Sequence, residues 1–215
     1  MSGNLQHRLR LIVITDQELA RPRSILEIVG DALEAGAHAV QLRDKTASAR
    51  DLQDVGSKLL LLTRAAGALL FINDRLDVAL AIGADGVHLG PEDIPVSEAR
   101  KAVPNSFLIG TSTDNPQEAA QFQRDGADYI GCGTVYPTKT KSDAGQIIGL
   151  SGLDHVARSV DVPVIGIGGI NVERSAEVST TCASGIAVIS TVMQASNISE
   201  TISSLLAPWA ESDCG

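Results

Sequence analysis

Short runs rich in Val, Ile and Leu recur along the chain at 9–16, 37–44, 68–74, 84–90, 106–113, 127–133, 162–169 and 185–191. Each is about seven or eight residues long and nearly free of polar breaks. A strand with one wet face alternates apolar and polar residues, so continuous runs predict strands covered on both faces, as in a parallel sheet. Longer amphipathic stretches separate them. At 24–35, Ser24 with Glu27 three residues on forms a capping-box signature, and Leu26, Val29, Leu33 and Ala37 follow at helical spacing. Gly36-Ala37, Gly83-Ala84 and Gly126-Ala127 fall where a helix should stop and a strand begin, with Ser184-Gly185 in the equivalent place later. Glycine suits a helix stop because the closing residue is often left-handed.

Eight strands, each followed by a helix or short connector and with no linker between them, predict a single (β/α)8 TIM barrel of the α/β class. The chain divides into a polar N-terminal extension at 1–8, the barrel at 9–209 and a polar tail at 210–215. A doubly wound open sheet is the second choice, disfavoured because eight evenly paced strands rarely form one without a longer connection.

Composition narrows the function. The chain has 215 residues, of which 44% are hydrophobic and 20% charged, enough apolar content for one large core. A net charge of −9 argues against a general binder of nucleic acid or anionic membrane, because both would be repelled. No stretch approaches the about 20 apolar residues that span a bilayer, and the polar start at 1–10 does not read as a signal peptide. Cys132, Cys182 and Cys214 form no CxxC pair, which argues against a disulfide framework or zinc site. A reduced, cytoplasmic enzyme is the expectation.

In such a barrel, chemistry collects just after the strands, and the polar residues here fall there. Three of the chain's five lysines, Lys45, Lys139 and Lys141, lie in the loops after the second and sixth strands. Gln41 and Arg43 share one side of the second strand, and Lys45 continues the series. A salt-bridged strand end is the plain alternative. Asn73, Asp74 and Asp93 offer hard oxygens on neighbouring loops, suited to Mg²⁺ held by carboxylates and substrate phosphate. Asp74 also reads as a helix N-cap. His88 reads as an inward, hydrogen-bonded barrel residue, and the fifth strand ends in the hydroxyls Thr111, Ser112 and Thr113. The insertion Tyr136-Pro137-Thr138-Lys139-Thr140-Lys141 combines ammonium and hydroxyl donors in a long loop, either an anion clamp or a surface loop. Gly168 and Gly169 after the seventh strand, with Ile189 and Ser190 after the eighth, occupy the usual phosphate site of this fold, although Gly-Gly also makes tight turns. Two anion sites follow. One combines Arg43, Lys45, Lys141 and a metal for a diphosphate; the other uses backbone amides for a monophosphate.

Taken in order, Gln41-Leu42-Arg43-Asp44-Lys45, Asn73-Asp74, Gly86-Val87-His88-Leu89-Gly90 with Asp93, the stretch from Tyr136 to Lys141, Gly166 to Ile170 and Ile189-Ser190 resemble the thiamine-phosphate synthase family over nearly the whole chain. The resemblance implies a Mg²⁺-dependent transferase that joins hydroxymethylpyrimidine diphosphate to a thiazole phosphate and releases pyrophosphate. It places Gln41, Leu42, Arg43, Asp44, Lys45, Asn73, Ser112 and Lys141 at the pyrimidine diphosphate, with Arg43, Lys45, Ser112 and Lys141 catalytic. Asp74 and Asp93 become the metal ligands. Thr138, Lys139, Thr140, Gly168, Gly169, Ile189 and Ser190 meet the thiazole phosphate. Asp114 stands where the family often has His. The implied reaction is a dissociative substitution needing no protein nucleophile, in keeping with the lack of a Ser/His/Asp or Cys/His set. Its partners are small phosphorylated molecules rather than nucleic acid or membrane, and a homo-oligomer is compatible. The alternatives are a thiazole tautomerase and a non-catalytic barrel that binds thiamine intermediates.

Overall fold

Eight short parallel strands, β1 (Leu11–Ile14), β2 (Ala39–Leu42), β3 (Leu69–Asn73), β4 (Gly86–Leu89), β5 (Leu108–Ser112), β6 (Tyr129–Cys132), β7 (Val164–Ile167) and β8 (Gly185–Val188), pair each with the next and close β8 onto β1. Every strand lies inside one of the apolar runs. The computed structural model describes residues 2–138, 140 and 146–210, with side chains from residue 5 onward. The helices are α1 (Ser2–Arg8), α2 (Ile25–Glu34), α3 (Ala49–Ala66), α4 (Leu76–Ile82), α5 (Val96–Ala102), α6 (Pro116–Asp125), α7 (Gly149–Ala157), α8 (Val172–Val178), α9 (Ser190–Met193) and α10 (Ile198–Leu206), followed by a short turn at Ala207–Trp209. This is a (β/α)8 barrel. No described helix is long and apolar enough to cross a membrane.

Local signals act where the sequence places them. Ser24 caps α2 through the Glu27 amide, and the Glu27 carboxylate returns a bond to the Ser24 amide, completing the capping box. Gly83 and Gly126 end α4 and α6 in the left-handed conformation. The polar start at residues 2–8 is helical rather than extended. Leu5 packs against the core, and Arg8 donates to the Gly67 carbonyl, so α1 caps the end of the barrel opposite the strand carboxyl termini.

Two aromatic rings pack against each other between strands of the barrel. Phe71 and Tyr129 meet edge to face at 5.2 Å between centroids, and each lies in register beside a glycine, Gly86 and Gly110 respectively. A Cβ on Gly110 would fall 2.1 Å from Tyr129 Cζ, so only glycine leaves room for the ring. Cys132 is fully buried and acts as a small apolar side chain, while Cys182 is partly buried.

The outer layer is closed near the chain end by one buried polar pair. Trp209 Nε1 donates to Ser175 Oγ at 3.0 Å, and Ser175 donates onward to the Leu205 carbonyl at 2.8 Å. Replacing Ser175 with Ala strands a buried indole N–H, which costs about 2 kcal/mol. The melting temperature is expected to fall by about 4–8 °C for a domain of this size, with turnover at 25 °C unchanged. Thermal unfolding checks this, and an unaltered midpoint would remove the pair from the stability account.

Candidate active site

The loops after the strands surround a cavity of about 440 Å³ at the carboxyl end of the barrel. Its walls differ in character. The β2–β5 side carries Arg43, Lys45, Asn73, Asp74, Asp93 and Ser112, and the β6–β8 side carries Thr138, Thr140, Gly168, Gly169, Ile189 and Ser190. Groups far apart in the sequence, from Arg43 to Ser190, thus line one space.

Asp74 and Asp93 form the acidic corner. Asp74 has φ 65°, an uncommon left-handed value that Asp tolerates better than most residues. Its amide donates to the His88 carbonyl at 2.8 Å, which fixes the turn, and no side-chain cap of α4 involves it. The N-cap alternative is therefore set aside. Asp93 Oδ2 accepts the Gly90 amide at 2.6 Å. A Cβ on Gly90 would lie 3.3 Å from Asp93 Oδ2 and 3.8 Å from Asp74 Oδ1, so the missing side chain leaves the two carboxyls side by side. Burial, then the charge and hydrogen bond of Asp93, push the Asp74 carboxyl up to about 6; Lys45 and Arg43 oppose the rise. Two such carboxylates suit a hard divalent cation whose other ligands are phosphate oxygens and water. Among the described residues no cluster of three or more His, Cys, Asp or Glu forms a fuller metal cage.

Strand alternation divides the second-strand motif. Arg43 and Lys45 reach the cavity, and Gln41 lies beneath it, 3% exposed. Leu42 and Asp44, expected beside the diphosphate, do not line this cavity. Both line a separate cleft between the β1 and β2 loops, where Asp44 accepts from the Thr46 and Ala47 amides. The cause is the two-residue period of a strand, which turns them toward the helical layer. Thr15 Oγ1 accepts the Arg43 amide at 3.0 Å and so pins the start of this loop.

On the opposite wall Gly168 and Gly169 have φ 102° and 63°. The Gly168 carbonyl accepts the Tyr136 amide, and the Gly169 carbonyl accepts Arg174 Nη1 at 2.5 Å. In a trans peptide the N–H points opposite its carbonyl, so fastening both carbonyls outward fixes the direction of the two following amides. Arg174 also lies 4.6 Å over the Tyr136 ring, and Tyr136 donates to Glu177 at 2.7 Å. This anchors the root of the sixth loop to α8. Thr140 Oγ1 donates to Ser190 Oγ at 3.3 Å, joining that loop to the start of α9. Lys139 and Lys141 lie outside the described residues. Asp114 is exposed and off the cavity wall, although its charge helps push the buried Cys132 thiol up to about 12, behind the larger effect of burial.

His88 and Tyr129 were not assigned a functional role from the sequence, yet they form a hydrogen-bonded series that ends at Ser112. His88 Nδ1 is 2.9 Å from the Tyr129 hydroxyl and Nε2 is 2.8 Å from Ser112 Oγ. The inward, hydrogen-bonded histidine expected from the strand pattern is observed. The tyrosine lies within the apolar run at 127–133 and nothing in the sequence singles it out.

Known proteins resemble this chain over most of its length. The family described as thiamine monophosphate synthase matches residues 11–192. A thiamine-phosphate synthase of Pyrococcus furiosus is 49% identical over 195 residues, covering 91% of this chain and 92% of the relative. One from Roseiflexus castenholzii is 49% identical over 183 residues, 85% of this chain and 80% of the relative. The solved thiamine phosphate pyrophosphorylase from Pyrococcus furiosus superposes with a TM-score of 0.87 at 45% identity, covering 95% of this chain and 97% of that one. A 3-hexulose-6-phosphate synthase with TM-score 0.65 and 17% identity, over 93% of this chain and 99% of that one, shares the fold alone.

Proposed function

Because the chain belongs to the thiamine monophosphate synthase family, we propose that it is the transferase that makes thiamine phosphate, joining hydroxymethylpyrimidine diphosphate to a thiazole phosphate with release of pyrophosphate. The observation that carries the reading is the pairing of walls in one cavity. A carboxylate pair beside Arg43 and Lys45 faces a glycine-rich backbone cradle, so a diphosphate and a monophosphate fit at opposite ends.

Within this reading Arg43, Lys45 and Ser112, with Lys141 from the sixth loop, hold the departing pyrophosphate where negative charge grows as the C–O bond breaks. Gln41 and Asn73 orient the pyrimidine. Thr138, Lys139 and Thr140, with Gly168, Gly169, Ile189 and Ser190, hold the thiazole phosphate, placing the ring nitrogen for attack on the pyrimidine methylene. The electron pair of the broken bond leaves with pyrophosphate, and the nitrogen lone pair forms the new C–N bond. No side chain is needed as nucleophile. Asp74 and Asp93 would hold Mg²⁺, which when bound neutralises charge on the diphosphate oxygens. Their paired carboxyls fit that ion, because the mutual repulsion that lifts Asp74 is relieved by a shared cation. The partners are the two phosphorylated substrates, and the setting proposed is the cytoplasm.

The test supplies both substrates with and without Mg²⁺ and measures thiamine phosphate and pyrophosphate together. Equal formation of the two, lost on chelation, supports the reading. Thiazole isomerisation without pyrophosphate release would replace it with a tautomerase, and substrate binding with neither reaction would replace it with a binding protein.

A pH dependence follows from Asp74. Metal binding requires the carboxylate, and its proton is held up to about 6. The apparent Mg²⁺ dissociation constant is therefore expected to rise as pH falls, about tenfold between pH 7 and pH 5. Mg²⁺ titrations of turnover at the two pH values measure it. A pH-independent requirement would count against Asp74 as a ligand.

A further inference from the structure

Three hydrogen-bonded side chains cross the barrel beneath the cavity, each from a different strand, Tyr129 of β6, His88 of β4 and Ser112 of β5, with Gln41 of β2 beside the Tyr129 end. Gln41 and Tyr129 are 3% and 1% exposed, whereas His88 and Ser112 line the cavity. The series therefore runs from dry core to the wall where the diphosphate binds. Tyr129 is held in place by the Gly110 backbone on one side and the Phe71 ring on another, so its hydroxyl has little freedom to move.

Counting protons gives the series a direction. Burial pushes the Tyr129 phenol far above its ordinary value, opposed by a hydrogen bond from Gln41 and helped by the Asp128 charge, so the hydroxyl keeps its proton. An anionic ligand at the cavity wall takes the Ser112 hydrogen, which leaves Ser112 Oγ to accept from His88 Nε2–H and His88 Nδ1 to accept the phenol hydrogen. The neutral ring then carries its proton on Nε2 and donates it to Ser112 Oγ. The reverse order would turn a serine oxygen with no hydrogen toward an anionic ligand, which is repulsive.

We propose that Tyr129 and His88 are positioning residues that fix the Ser112 hydroxyl as a hydrogen-bond donor to the departing diphosphate. This rests on the synthase reading, because a preorganised donor accelerates the step only where negative charge develops.

The experiment has two parts, both on the full chain. Proton–nitrogen NMR of protein labelled in histidine, with the ring neutral, reports the His88 tautomer without any turnover. The Nε2–H form is expected in the wild type, with the Nδ1–H form appearing in Tyr129→Phe. In the turnover assay, Tyr129→Phe is expected to lower kcat about tenfold, less than the loss of a direct oxyanion donor, with KM for the pyrimidine diphosphate nearly unchanged. In a Ser112→Ala background the same substitution should change kcat by less than about twofold, since the group it positions is gone. An Nδ1–H ring in the wild type, or equal kcat losses in both backgrounds, overturns the proposal. Wild-type protein that makes no thiamine phosphate overturns the synthase reading and the donor role with it, whatever the tautomer.

Discussion

Asp93→Asn is expected to lower Mg²⁺-dependent turnover by about a thousandfold while leaving the metal-free protein at least as stable as the wild type. The first half follows from charge. The substitution removes one of the two carboxylates proposed to hold Mg²⁺, and losing that cation's charge stabilisation at a developing anion should cost at least the order of 10²–10³ in rate known for a single neutral donor. The second half follows from the same pair seen without metal. Burial and Asp93 raise the Asp74 carboxyl from 3.8 to about 6. A carboxyl whose pKa is higher folded than unfolded gives stability that is full at low pH and is lost as pH rises through the folded value. Metal-free wild type should therefore lose stability between about pH 4 and pH 6 and level off above that. Asparagine keeps an oxygen for the Gly90 amide, now taken by Asp93 Oδ2, and drops the repulsion. Because Asp74 is partly exposed, solvent screens much of the effect, and about 1 kcal/mol at neutral pH is expected. Thermal unfolding from pH 4 to pH 8 in chelator, beside Mg²⁺-dependent turnover, tests both halves. Turnover within tenfold of wild type, or a stability profile parallel to it, would separate the pair from metal and catalysis.

The barrel and most of the cavity wall were legible because they depend on short-range rules. A strand buried on both faces must be apolar throughout, a helix start needs a donor such as Ser24 to satisfy its amides, and alternation sends Arg43 to the side of Gln41. The same alternation also carries Leu42 and Asp44 away from the cavity, a consequence obscured by treating five consecutive residues as one motif. What stayed hidden depends on which strands meet. Tyr129 reads as core from its neighbours, and only the register that sets it beside Gly110 and within reach of His88 makes it part of a polar series. The left-handed turn at Asp74 is hidden for another reason: most aspartates avoid it, and the His88 carbonyl that holds it comes from the next strand. Likewise nothing adjacent in sequence tells Tyr136 that Arg174 and Glu177 will meet it.

Gly169→Ala is expected to raise KM for the thiazole phosphate about a hundredfold and to leave the Mg²⁺ requirement and the pyrimidine diphosphate KM close to wild type. Two independent features act at this position. Its φ of 63° costs an L-residue about 1–2 kcal/mol. An added Cβ would also lie 2.6 Å from the Pro137 carbonyl oxygen and 2.8 Å from that of Tyr136, both backbone atoms that cannot rotate away. Relief must come from moving the root of the loop that carries Thr138 and Thr140, or from tilting the peptide whose carbonyl Arg174 holds. Either shift disturbs the monophosphate end of the cavity and spares the acidic corner across it. Gly166→Ala is the control. Its Cβ would meet side chains only, Leu153 Cδ2 at 3.0 Å and Val178 Cγ1 at 3.4 Å on the helix-facing side. That change should lower stability without altering either KM, since the two tighter neighbours do not line the cavity and Ile170, which does, is met only at an ordinary 3.7 Å. Steady-state kinetics with each substrate varied in turn, alongside melting curves, distinguish the two outcomes. A Gly169→Ala enzyme with an unchanged thiazole phosphate KM, or one that fails first toward the pyrimidine diphosphate, would move the monophosphate site away from these glycines.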